Sequence, residues 1–394
     1  MTPSARAQAA IELLDGIIAS ARDGGAAADT LIARYFKARR YAGSKDRRAV
    51  RELVYAAIRR SGDRPESGRA ALIGLAEDRP ELAALFDGSA HGPAVIRADE
   101  PGAPPGVAPR WLAERLAASI GTDELPALLD RAPLDLRVNR LKATRDDFLG
   151  LIPEARPGDL APDALRLPEG FAVEALPAWE QGLIEIQDEG SQLIAHACTA
   201  RPGETVVDLC AGAGGKTLAL AADMRGEGRL IACDVDRARL SRLAPRAERA
   251  GASGIDTRLL DPGREAAALA DLEGKADVVL VDAPCSGTGT WRRNPEARWR
   301  LTPDRLRRLT GMQAHVLDVG AALVRPGGRL VYAVCSLLAE EGADQIAGFL
   351  ARHSGWRAQR DGLDFGRPQG AGRLLTPAAD RTDGFFVARL IGPC

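Results

Sequence analysis

Apolar residues recur at three-and-four spacing through "AIELLDGIIASA", "LIARYF" and "RAVRELVYAAIRR", the pattern of helices that bury one face. Residues 1–88 are therefore expected to form an all-α unit. The next stretch, "DGSAHGPAVIRADEPGAPPGVAPR", has no period and is rich in Gly and Pro, so residues 89–108 read as a linker. Helical "WLAERLAASI" and "ELPALLDRA" follow. "LDLRVNRLKATRDDFLGLI" is a strand running into a helix, and "ALRLPEG" and "FAVEAL" read as short strands, which makes residues 109–178 a small α+β segment. From 179 to 394 the period alternates between two and 3.6, as in a doubly wound α/β sheet. Its strands are "TVVDLC", "GRLIACD", "IDTRLLD", "ADVVLVDAPC", "GRLVYAVCS" and "DGFFVARL"; helices "LALAADM", "LSRLAPRAERAG" and "TGMQAHVLDVGAALV" lie between them.

The loop after the first of these strands, "DLCAGAGGKT", raises the question of its ligand. Gly215, Lys216 and Thr217 end it like a phosphate-binding P-loop, but Cys210 stands where that loop needs its first glycine. Gly212 and Gly214 give the start of a dinucleotide fingerprint whose third glycine is replaced by Thr217. Asp234, twenty residues beyond Gly214 and at the end of the second strand, is placed to accept hydrogen bonds from ribose hydroxyls. Asp208, Asp261 and Asp282 fall at the ends of neighbouring strands, where open α/β sheets bind ligands. Four carboxylates repel a triphosphate and suit a cationic nucleoside without phosphates. S-adenosylmethionine has that chemistry, and an ATPase does not fit.

Two cysteines, Cys285 in "DAPCSGTG" and Cys335 in "YAVCS", end the fourth and fifth strands on the same rim. A thiol beside a methyl donor has a specific use. Carbon 5 of a pyrimidine is a poor nucleophile until a thiolate adds to carbon 6, so the cysteine acts as a transient covalent catalyst. After methyl transfer the carbon 5 proton must leave and the thiol be expelled, so a second polar group beside the first has a use. Lys216 or an Arg-rich loop could favour the thiolate, and the residues leave that choice open.

Composition narrows the rest. The six cysteines form no C-x-x-C pair and the four histidines are scattered, so neither a metal site nor a disulfide framework is expected. No apolar run reaches about 20 residues, and acids interrupt "MTPSARAQAAIELLDG", so no membrane contact and a cytoplasmic location are expected. The net charge of -1 hides local excess: residues 1–60 hold twelve Lys/Arg against six Asp/Glu, and residues 291–310 hold seven Arg against two acids. Such clusters are either solvated faces or phosphate-binding surfaces. On the second reading, residues 1–88 and the loop "WRRNPEARWR" hold RNA through Arg, with Trp291 or Trp299 stacking on bases.

"QDEGSQL", "DLCAGAGGKT", "DAPCSGTGTWRRNP", "VYAVCSL" followed by "EE", and "DGFFVARL" occur in the order seen in the Nop/Sun (RsmB-like) family of RNA cytosine-carbon-5 methyltransferases, which the chain resembles from about Leu134 to Leu390. "SKDRRAVRELVYAAIRR" is similar to the NusB-like domain of the family's bacterial rRNA member. The resemblance implies a Rossmann-like class I methyltransferase sheet, an N-terminal all-α NusB-like RNA-binding domain and an RRM-like α+β segment. It implies an enzyme acting on 16S-type small-subunit rRNA, with tRNA or a non-catalytic RNA-binding role as alternatives, and a monomer. Carried over by motif, Cys335 is the nucleophile and Cys285 assists breakdown of the adduct. S-adenosylmethionine contacts map to Cys210, Ala211, Gly212, Ala213, Gly214, Gly215, Lys216, Asp234, Asp261 and Asp282. The chain departs from the family's pattern at Ala213, Val334 and Leu260.

Overall fold

A computed structural model describes residues Met1–Cys394, and its internal contacts divide the chain into two compact units. The first comprises Met1–Arg131 together with Thr290–Pro303. Its helices are α1 (Pro3–Asp23), α2 (Ala28–Ala38), α3 (Ser44–Arg60), α4 (Gly68–Asp78) and α5 (Arg110–Ile120). The expected periodicity places Leu14 and Ile17 of α1, Phe36 of α2, Val54 and Ile58 of α3 and Leu72 of α4 in one core. Thr2 caps α1 by accepting the Ala5 amide at 3.2 Å, and Gly24 ends it in the left-handed region. Residues 89–108 are irregular, as their composition predicts, but they do not run free of the helices. Ala103 donates its amide to the Ala70 carbonyl of α4 at 2.8 Å, and the Arg69 guanidinium donates to the Ala94 carbonyl at 2.9 Å and to Glu100.

The arginine-rich segment Thr290–Pro303 belongs to this same core, and here the sequence expectation fails. Trp291 and Trp299 are 1% and 4% exposed, so neither ring is available for stacking on a base. Arg298 is fully buried and donates to the carbonyls of Ile58 at 2.5 Å, Ser61 at 2.8 Å and Arg59 at 3.1 Å. These carbonyls lie at the end of α3, where the Ser61 amide also reaches that of Ile58 at 3.2 Å, and a cation is favoured there by the helix dipole. Glu296 does the complementary job at the other pole, accepting the Ala28 amide at the start of α2 at 2.9 Å. Arg300 donates to the Gly25 and Ala26 carbonyls at 2.6 and 2.7 Å. Two of the segment's four cations, Arg298 and Arg300, are thus spent on a helix end and a turn. Burial lowers Arg298 to about 9, with Glu296 opposing the shift.

The second unit comprises Ala132–Gly289 and Asp304–Cys394. A small antiparallel sheet in the order β2-β3-β1-β4 is built from β1 (Leu134–Val138), β2 (Arg156–Pro157), β3 (Ala164–Leu167) and β4 (Ile184–Ile186), with short helices α6 (Arg145–Leu149) and α7 (Pro177–Glu180). "FAVEAL" is not a strand: Val173–Ala175 forms a 3₁₀ turn, and two further 3₁₀ turns replace the helix expected at "ELPALLDRA", which Pro126 interrupts. The "QDEGSQ" motif opens α8 (Glu189–Ala197) and ties this sheet to the rest of the unit. Glu189, fully buried, accepts from Ala161 at 2.8 Å and from Arg166 at 3.1 Å, while Gln192 donates to the Leu136 carbonyl at 3.1 Å.

The large sheet contains β5 (Thr205–Asp208), β6 (Arg229–Asp234), β7 (Ile255–Leu259), β8 (Ala276–Asp282) and β9 (Val324–Val334), all parallel. β13 (Phe385–Ile391) runs antiparallel to β9, and β10 (Arg357–Ala358), β11 (Arg367–Gln369) and β12 (Gly372–Leu375) extend that edge. The strand order β7-β6-β5-β8-β9-β13 reverses its direction of growth between β5 and β8. α9 (Gly215–Asp223), α10 (Arg237–Leu240), α11 (Leu243–Ala250), α12 (Glu265–Ala268), α13 (Pro303–Leu323) and α14 (Ala343–Arg352) fill the connections. No helix is long and apolar enough to cross a membrane.

Because Arg298 satisfies several carbonyls at once, Arg298→Met should lower stability by about 2–4 kcal/mol, the cost of leaving buried acceptors unpaired. Chemical denaturation would measure it. An unchanged midpoint would show that water replaces the guanidinium without loss.

Candidate active site at the carboxyl ends of the central strands

The reversal between β5 and β8 leaves a crevice outside their carboxyl ends, where ligands of such sheets bind. The turn that lines it, Leu209 to Gly214, bends with Gly212 at φ 56° and Gly214 at φ 85°. A Cβ on Gly214 would run into Leu243 of α11, so only glycine fits. Ala211 donates to the Cys233 carbonyl at 2.8 Å, and the Ala213 carbonyl accepts from Arg246 at 2.6 Å, so both ends of the turn are anchored. Gly215 opens α9, and Cys210 is half-buried beside it, its thiol pushed well above the ordinary value by burial and by Asp208.

The four strand-end carboxylates divide into different environments. Asp234, 6% exposed, accepts the Gly212 amide through one oxygen and the Asp236 amide through the other, both at 2.7 Å. Each oxygen keeps a further lone pair for a ligand hydroxyl. Val235, next in the chain, is 53% exposed, an apolar surface beside that carboxylate which the sequence reading overlooked. Asp261 is exposed just beyond β7. Asp282, half-buried, accepts from the Lys216 ammonium at 2.7 Å. Asp208 is a correction: at 1% exposed it does not line the rim, and it accepts from the Thr217 hydroxyl at 2.7 Å. Its role is to hold the glycine turn. Burial is the main reason its carboxyl is raised to about 7, with Thr217 and Lys216 opposing and Asp282 and Asp234 adding to the rise.

Cys285 and Cys335 come together as expected, with their sulfurs 3.3 Å apart. Their hydrogen bond, followed by burial and the charge of Glu341, pushes the Cys285 thiol well above its ordinary value. Lys216 lies on the Cys335 side. Burial works against its charge, but Asp282 first and then Cys335 and Asp208 outweigh it and keep the ammonium protonated. A positive charge therefore stands beside Cys335 and a negative one beside Cys285.

Glu341 holds this arrangement, and the sequence reading noted it only as part of "EE". Fully buried, it accepts the Ser286 amide and the Gln313 side chain, each at 2.9 Å, the Ser336 hydroxyl at 2.6 Å and the Ser286 hydroxyl. Ser286 follows Cys285, and Ser336 follows Cys335, so one carboxylate fixes both thiol loops. Gln313 of α13 also donates to the Pro284 carbonyl at 3.0 Å. A fixed offset from "CS" was the available signal for Glu341; Gln313, in a long amphipathic helix, offered none.

The sheet order, glycine turn and second-strand carboxylate are those of a Rossmann-like methyltransferase domain, accompanied by a helical N-terminal region and a small ferredoxin-like sheet. The family model described as 16S rRNA methyltransferase RsmB/F matches residues 195–391, and the ferredoxin-like domain of the RsmF/B-like methyltransferases matches residues 108–174. This chain belongs to the RsmB/F family. Ribosomal RNA small subunit methyltransferase B of Salmonella arizonae is 38% identical over 290 residues, covering 72% of this chain and 66% of that protein, a little under two thirds of the relative's length. Among solved structures, a methyltransferase homolog protein from Pyrococcus horikoshii is 28% identical with a TM-score of 0.64, covering 72% of this chain and 95% of its own. PH0851 shares the fold over 99% of both chains, with a TM-score of 0.77 at 24% identity.

Glu341→Ala should destabilise the second unit by about 2–4 kcal/mol, because buried donors from both thiol loops lose their acceptor. Urea titration of the full chain would read this, and a variant as stable as the parent would mean that the loops hold each other without it. Asp208 has a separate signature in pH. Its proton is lost near pH 4 in the unfolded chain and near 7 in the folded one. The folded state therefore binds the extra proton between those values, and its stability falls as pH rises through that window. Asp208→Asn removes this loss, so the variant should gain stability relative to the parent from about pH 4 to 7. A difference independent of pH would overturn the buried, proton-holding role.

Proposed function

We propose that the protein is an S-adenosylmethionine-dependent RNA (cytosine-5-)-methyltransferase acting on 16S-type small-subunit rRNA. The observation that carries this reading is the pair of free thiols, 3.3 Å apart, on the ligand rim of a methyltransferase sheet. Membership of the RsmB/F family and the likeness to the Salmonella protein support the rRNA substrate.

The residues present fit the cofactor. Asp234 has lone pairs to spare for ribose hydroxyls, Val235 offers an apolar face to an adenine ring, and the backbone of Cys210 to Lys216 lines the turn between them. Asp234 and Asp261 supply negative charge for a cationic ligand and would oppose a triphosphate, while Asp282 is balanced by Lys216. When bound, S-adenosylmethionine supplies an electrophilic methyl group.

The chain's own groups then divide the work. Cys335 adds as a thiolate to carbon 6 of cytosine and makes carbon 5 nucleophilic. Methylated carbon 5 must next lose its proton as the bond from carbon 6 to sulfur breaks. Cys285 is suited to that second step by timing. While Cys335 is free, its hydrogen bond and charge hold the Cys285 proton in place; once Cys335 is bonded to carbon 6, both influences vanish and Cys285 ionises more readily. Its own proton passes to solvent, and the Cys285 thiolate then takes the carbon 5 proton as that C–H electron pair reforms the carbon 5–carbon 6 double bond and expels Cys335 as a thiolate.

Cys335→Ser should abolish methylation without trapping RNA, because a hydroxyl is a far weaker nucleophile than a thiolate. Cys285→Ser should form the adduct and stall, giving a slow, nuclease-sensitive band on a denaturing gel. A band with Cys335→Ser instead would reverse the roles, and full turnover in both would end the covalent mechanism. Bisulfite sequencing of rRNA and tRNA from cells lacking the protein identifies the substrate: loss of 5-methylcytosine from tRNA alone would refute the rRNA assignment. Calorimetry that detected ATP but not S-adenosylmethionine would refute the cofactor.

A further inference from the structure

Arg298 and Arg300 of Thr290–Pro303 are engaged by backbone carbonyls, which leaves the question of where a nucleic acid backbone finds charge. The densest remaining run is "RYFKARRYAGSKDRR", the end of α2, the turn and the start of α3: seven Lys/Arg against the single acid Asp46 from residue 34 to 48. Three of the carboxylates that reach this region are already engaged, and Glu52, one turn after Arg48 on α3, is exposed. Asp46 pairs with Arg6 at 2.8 Å, Glu12 with Arg39 and Tyr35 at 3.2 and 2.8 Å, and Asp29 with Arg51 and Tyr55 at 2.5 and 2.7 Å. Arg34, Lys37, Arg40, Lys45 and Arg48 are exposed and form no ion pair.

Their placement follows from helical geometry. In α2, Asp29 reaches toward α3 and Tyr35 toward α1, so the face opposite buried Phe36 points to solvent; Arg34 and Lys37, three apart, share it. In α3, Lys45 and Arg48 share an exposed face in the same way, and Arg40 sits in the turn that joins them. Next to Arg40, Tyr41 is 73% exposed, a large aromatic surface given to solvent. Tyr41 also borders an open groove of about 890 Å³ that Gln8, Glu12, Tyr35, Arg39 and His91 help to line. There the Arg39 guanidinium lies 3.7 Å over the Tyr35 ring, a second flat platform.

We propose that the α2–α3 corner docks single-stranded RNA, with phosphates on Arg34, Lys37, Arg40, Lys45 and Arg48 and a base stacked on Tyr41 at the mouth of the groove. A row of unpaired cations beside an exposed ring and hydrogen-bonding groups is what an unpaired strand offers partners for, whereas a duplex keeps its bases stacked on each other. The surface rests on the reading of the substrate as RNA.

The test uses the full chain, a fluorescein-labelled single-stranded 12-mer RNA and the same RNA as a duplex, by anisotropy across salt concentrations. Reversing Lys37, Arg40, Lys45 and Arg48 to Glu should weaken single-strand binding and flatten its salt dependence by a slope of about 3, at about 0.7 per phosphate contact. Tyr41→Ala should weaken it about tenfold, and Tyr41→Phe should restore it, since stacking needs the ring and not the hydroxyl. Thermal unfolding of each variant checks that the helices persist. If the parent binds and methylates RNA while these variants match it in affinity and slope, the surface is wrong and the enzyme reading stands; a site for an acidic protein gives this outcome. If the parent binds no RNA at all, the enzyme reading itself falls. Equal affinity for the duplex, with no effect of Tyr41→Ala, overturns the stacking.

Discussion

A buried carboxyl group has to be surrounded by hydrogen-bond partners, and Glu341 meets that requirement by drawing two separate loops onto itself. The amide and hydroxyl of Ser286 come from the loop after β8, and the hydroxyl of Ser336 from the loop after β9. Gln313 closes the shell from α13. The thiols follow from this, because Cys285 and Cys335 are the immediate neighbours of the two serines. Two loops separated by some fifty residues of sequence are held at sulfur–sulfur distance by one anion. The same charge raises Cys285, while Lys216 stands near Cys335, so the geometry that joins the thiols also makes them unequal.

The rim obeys a related constraint. Asp282 is paired with Lys216, Asp234 accepts one backbone amide on each oxygen, and Asp208 is buried against Thr217. Four acids at one set of strand ends would repel each other in the absence of a cation. Using one to brace the turn and one to hold a lysine leaves Asp234 and Asp261 for a ligand, which is a smaller negative charge than strand-end counting implies.

How much of this was legible in the sequence depends on whether the residue's task is local. The glycine turn, Asp234 and both cysteines stand at fixed distances from strand ends, and strand ends are announced by apolar runs; their positions could be read directly. The helices of the first unit were legible for the same reason. Arg298 and Trp299 were not, because a guanidinium that caps a helix from the inside has the same local sequence as one that meets phosphate. Which carbonyls await it is decided by residues about 240 positions away. Asp208 illustrates a finer limit: the strand end was found, but the direction of its side chain depends on Thr217 in the next turn. β10, β11 and β12 were too short to carry a period.

The segment Thr290–Pro303 also bears on how the molecule is made. A ribosome releases the chain from its first residue onward, so α1 to α4 emerge long before Trp299 exists to complete their core and Arg298 to close the end of α3. The nascent helices must wait, with one end of α3 and the start of α2 uncapped, through the synthesis of more than half the polypeptide. This is a long-range closure of the kind that slows folding. It means that the helical unit, though first in the sequence, is among the last parts to become native, and that a fragment cut after α5 would carry the helices without the residues that finish them.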